Sequence, residues 1–71
     1  MAVSITSDAR HCINNLKIDQ GNENYIKNWV ESKVQGKGVY VVDVADDRKY
    51  LVTISVNGGM KYIDFIEIYK N

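Results

Sequence analysis

The chain has no proline, a single cysteine (Cys12) and a single histidine (His11), and its 9 basic residues are matched by 9 acidic ones. Each shortage excludes something. One cysteine rules out an internal disulfide. One cysteine and one histidine cannot by themselves supply the four ligands of a structural zinc site. Zero net charge, with no block of like charges, argues against phosphate recognition, so a nucleic acid is not the expected partner. The same neutrality weakens repulsion between copies and favours self-association. Without proline, nothing in the sequence blocks the edges of its strands from pairing. No apolar stretch approaches the ~20 residues of a membrane helix, so no membrane partner is expected. Residues 1–8 lack the basic start and apolar run of a secretory signal. Together with a free thiol, that points to a reducing cytoplasm.

The 71 residues make one small domain, 1–71. Domains of this size bury only about 60% of the surface their unfolded chains expose. With disulfide and metal removed from the usual staples, what remains is association with a partner or a core sufficient on its own.

What is present reads as α+β. Val3 and Ile5 alternate with small residues, the pattern of a short N-terminal edge strand or of a plain lead-in. Thr6, Ser7 and Asp8 are good N-cap types. Ala9, Cys12, Ile13 and Leu16 follow at helical spacing, predicting a helix from Asp8 to Lys17. Asp19-Gln20-Gly21-Asn22 should break it. A second helix is expected from Asn22 or Asn24, with Ile26, Trp29, Val30 and Val34 as its stripe and Gly36 as a left-handed stop. Then come three strands: Val39–Val44, Tyr50–Val56 and Met60–Tyr69. Asp46-Asp47-Arg48 supplies the first turn, and Asn57-Gly58-Gly59 is a strong hairpin signal. The expected fold is two N-terminal helices packed on a three-stranded antiparallel meander, ααβββ. Its buried sheet face should hold Tyr40, Val42, Val44, Val52, Ile54, Ile63 and Phe65, with Asp43 and Lys61 pointing out.

The last strand is the most informative segment. Side chains alternate faces along a strand, yet Tyr62, Ile63, Phe65, Ile66 and Ile68 are apolar on both. Two helices of ~10 Å diameter cover one face of a three-stranded sheet and not the other. With both on one side, Val39, Val41, Leu51, Tyr62, Ile66 and Ile68 are left facing water as an apolar patch of interface type.

No catalytic, cofactor or metal site emerges. Adjacent residues on a helix project about 100° apart, so His11 and Cys12 do not face each other as a base and nucleophile would. Asp43, Asp46 and Asp47 lack the alternating acids, glycine and distal glutamate of a calcium loop. Gly36-Lys37-Gly38 follows a helix instead of preceding one, the wrong end for a phosphate. The expected function is a non-enzymatic protein-interaction module, a homodimer or a binder of another protein. The alternative is a nucleic-acid-binding regulator using Lys61, Lys70, Arg48 and Lys49.

Overall fold

The computed structural model describes residues 2–45 and 48–70. The expected turn residues Asp46 and Asp47 lie outside them. The order of elements is β1 (Val3–Ile5), α1 (Ser7–Leu16), α2 (Gln20–Lys33), β2 (Gly38–Ala45), β3 (Arg48–Asn57) and β4 (Met60–Ile68). The sheet has four strands in the order β1-β4-β3-β2. The meander β2-β3-β4 is antiparallel, but β1 joins it parallel to β4, pairing Val3 with Lys61 and Ile5 with Ile63. The three-stranded expectation is therefore corrected to a four-stranded mixed sheet. The N-terminal edge strand forms because β4 has a second edge that the hairpins leave open.

Thr6 converts β1 into α1 within one residue. Its hydroxyl accepts from the Ala9 amide at 3.2 Å, which caps the helix. The same hydroxyl donates toward the carbonyls of Ile63 (3.1 Å) and Asp64 (3.3 Å), and the Thr6 amide also donates to Ile63. Cap and sheet edge thus share one side chain. Thr6→Ala should cost about 1–2 kcal/mol, read as a lower urea midpoint at unchanged slope.

The two helices are joined more tightly than the sequence implies. Lys17 takes the left-handed conformation (φ 56°, ψ 43°) and ends α1. The Ile18 amide then reaches back to the Ile13 carbonyl, and Ile18 is buried. Asp19 already caps α2, its carboxylate accepting from the Asn22 amide at 2.8 Å. Gln20, Gly21 and Asn22 are therefore helical, not a break, because a capping aspartate turns the following polar residues into a first turn. At the far end Val34 leaves the helix in extended conformation, and Gly36 has no positive φ. The expected glycine stop is not used. The Gly36 carbonyl instead accepts from the Tyr40 hydroxyl at 2.7 Å.

Both helices lie on one face of the sheet. Ala9 and Ile13 of α1 and Ile26 and Val30 of α2 form one buried cluster with Val42, Val52, Ile54, Ile63 and Ile66. Arg10 binds Glu23 through two hydrogen bonds of 2.7 and 3.0 Å, tying α1 to α2. The hydrogen bond first, and then the carboxylate's charge, hold the Arg10 guanidinium above its ordinary pKa. The accessible surface of 4615 Å² is close to the roughly 4,500 Å² expected of a compact monomer of this mass. The single chain is thus as compact as a folded monomer of its mass.

Candidate functional site

One residue in β4 decides what its two faces carry. Thr53 pairs with Phe65, but Ile54 pairs with Ile63, so Asp64 is an extra residue, a β-bulge. A bulge inverts the alternation downstream of it. Ile63 points to the helices on one side of the bulge, and Ile66 does so on the other. Three expectations are overturned in consequence. Phe65 is not core but 46% exposed on the outer face, whereas Ile66 is not outer but 3% exposed in the core. Ile68 shares the orientation of Ile66, toward the helix side, and is 53% exposed at the strand's end.

Lys61 is a further correction to the faces of β4. It pairs with Val3 on the helix side and is buried, not outward-pointing. Its ammonium donates to the carbonyls of Val30 (3.2 Å) and Glu31 (2.8 Å), in the last turn of α2. A cation there gives the Glu31 carbonyl a partner, adds to the bond that the Val30 carbonyl already accepts from the Val34 amide, and sits at the negative end of the helix dipole. Alternation counted back from Ile63 puts Lys61 on the helix side; its charge argued for solvent, because the sequence gives no view of the helix end above it.

The remaining expected patch residues are where the pattern placed them. Val39 (61% exposed) and Val41 stand open on β2, while Leu51 of β3 and Tyr62 of β4 are half-buried among their neighbours. Across the strands, Val39, Thr53 and Phe65 form one row and Val41, Leu51 and Glu67 the next. Asp43 opposite Lys49 closes the row beyond. The outer face is thus an apolar centre with a charged end, and Phe65 takes the place that Ile66 and Ile68 vacate.

A second concave feature lies between α1 and β4. It is a groove of about 590 Å³. Cys12, Leu16, Ile66 and Ile68 give it apolar walls, and His11 and Glu67 stand at its polar margin. His11 and Cys12 do meet one cavity, with Cys12 partly buried and His11 exposed, but no hydrogen bond joins them among the described residues. A smaller hollow of about 360 Å³ brings Lys17, Arg48 and Lys49 near Tyr50. It faces the carboxyl end of α1, whose partial negative charge opposes an anion. Of the four cations proposed for nucleic acid, Lys61 is spent on α2 and Lys70 lines the first groove instead. Among the described residues no group of three or more metal-ligating side chains occurs, and no helix is long and apolar enough to cross a membrane.

No protein-family model, curated protein or solved structure matches this chain.

Proposed function

We propose that the chain is a small, non-enzymatic protein-interaction module of the reducing cytoplasm that associates with a second copy of itself through the outer sheet face. The observation that carries this reading is the exposure of Val39, Val41 and Phe65 together on a face that neither helix covers. Exposed apolar area concentrated in one patch is a mark of interaction sites. The partner is argued from size and charge. Dimensions of 33 × 21 Å bound a face that can supply most of the roughly 800 Å² each partner contributes to a standard interface. A chain of zero net charge meets no overall repulsion from its own copy.

Sedimentation equilibrium from about 1 μM to 1 mM, a range spanning weak and moderate affinities, tests it. The apparent mass should rise toward twice 8.1 kDa. Val41→Asp and Phe65→Asp should hold it at the monomer while leaving the far-ultraviolet spectrum unchanged, since both positions are solvent-exposed. A wild-type chain that stays monomeric at the top of the range overturns the reading.

A further inference from the structure

β2 is an edge strand, and among the described residues no strand lies on its far side. Register shows which residues turn their main chain that way. The Tyr69 amide donates to the Lys49 carbonyl. Main-chain direction alternates along a strand, so Lys49, Leu51 and Thr53 face β4, and Tyr50, Val52 and Ile54 face β2. Their partners Val42, Tyr40 and Gly38 face back. Val39, Val41 and Asp43 therefore turn both N–H and C=O to the open edge. All three are exposed, Val39 at 61% and Val41 at 42%. No other main-chain bond engages them among the described residues.

From this geometry we infer that two copies also join edge to edge, β2 against β2, antiparallel about a two-fold axis at Tyr40. Only outward-turned residues pair as bonded partners, and charge selects among the registers that allow it. With the axis at Tyr40, Val39 lies beside the second copy's Val41, and the exposed Lys37 beside its Asp43. Asp43 then stands between Lys49, its partner on β3, and the second copy's Lys37. An axis at Val41 or Val42 sets Asp43 beside a valine instead. On the helix side Tyr40 meets its own copy as a non-bonded aromatic pair, the closer kind, and its hydroxyl keeps the Gly36 carbonyl. The helices leave room. Lys61 of β4 holds the last turn of α2 two strands in from this edge. The two α2 ends are thus five strand spacings apart, roughly 24 Å, where packed helices need about 8–10 Å. Three residues a side make a contact well under the roughly 1,000 Å² of a stable interface, so alone it dissociates above about 1 mM. Its use is to link dimers already joined by their outer faces, each carrying two free β2 edges. That role rests on the outer-face reading; the contact itself does not.

Covalent trapping reads a contact this weak. The Phe65→Asp protein, which lacks outer-face pairing, is treated at about 0.5 mM with a carbodiimide that joins a lysine to a carboxylate without a spacer. Lys37 and Asp43 of one chain lie about 20 Å apart along the strand, so a link between them joins two chains. That link should be the main one in the covalent dimer. There the Val39 and Val41 amides should exchange at least tenfold more slowly than in the monomer, while those of Tyr40 and Val42, already bonded to β3, change little. At low ionic strength, Lys37→Glu or Asp43→Lys alone should lower the dimer yield at least fivefold, and the two together should restore it to within about twofold. A dimer linked through other pairs, unchanged exchange at Val39 and Val41, or a double variant that does not couple would each overturn the inference. Trapping in Phe65→Asp beside a wild-type chain that stays monomeric in sedimentation would remove the outer-face reading and leave the edge contact standing.

Discussion

Ile66→Ala is expected to destabilise the fold by about 2–5 kcal/mol, the range for truncating a buried isoleucine. A domain of this length has roughly 4–10 kcal/mol in total, so much of the margin disappears and the melting temperature should fall by about 10–25 °C. Phe65→Ala should cost under about 1 kcal/mol, because a half-exposed ring leaves no cavity. The contrast is the point of the experiment. Phe65 is the larger side chain, and without the bulge at Asp64 it would be the core residue. Paired urea titrations in which Phe65→Ala proved the more damaging change would place the bulge elsewhere in β4. The outer face would then be Tyr62, Ile66 and Ile68 after all.

The second large effect concerns Lys61. Lys61→Met keeps the aliphatic stem in the core and removes the two hydrogen bonds to Val30 and Glu31. Hydrogen bonds to a charged group contribute about 1.5–3 kcal/mol, and the lost cation leaves Lys33 as the basic residue at the negative end of α2. A loss of about 2–3 kcal/mol is expected, against a change within about 0.5 kcal/mol for the exposed Lys70→Met. Amide exchange should locate the damage. Protection should drop first at Val34 and the last turn of α2, while the β2–β3 pairing stays intact. An unperturbed Lys61→Met protein would mean that its ammonium reaches solvent instead of the helix end.

These two residues also mark where reading the chain as a string stops working. The stripe Ala9, Cys12, Ile13, Leu16 announces α1 because helical period is a property of neighbouring residues. Asn57-Gly58-Gly59 announces the β3–β4 hairpin for the same reason: Gly58 and Gly59 take positive φ (60° and 79°), which glycine adopts without strain. The inner residues Val42, Val52, Ile54 and Ile63 follow from alternation once those strands are placed. Alternation carries no information past an extra residue, however. Ile63-Asp64-Phe65-Ile66 is compatible with either Phe65 or Ile66 inside, and only packing against Val52 and α1 selects Ile66. Lys61 fails for a different reason: its phase matches Ile63, but the carbonyls that receive its charge lie 30 and 31 residues away in the chain.

The candidate surfaces divide along the same line. Val39, Val41, Leu51 and Tyr62 belong to strands whose phase the sequence shows, so their outer position is legible there. Phe65 on that face and the groove beneath α1 are not. Both depend on Asp64 being skipped, and the groove depends also on β1 ending at Ile5 while β4 runs on to Ile68. Local order alone thus determined two amphipathic helices, a glycine hairpin and a sheet greasy on both sides. Tertiary structure decided which side of β4 is wet and that a lysine lies inside. Those outcomes are set by contacts between distant segments competing for the same buried volume, a competition that no local pattern records.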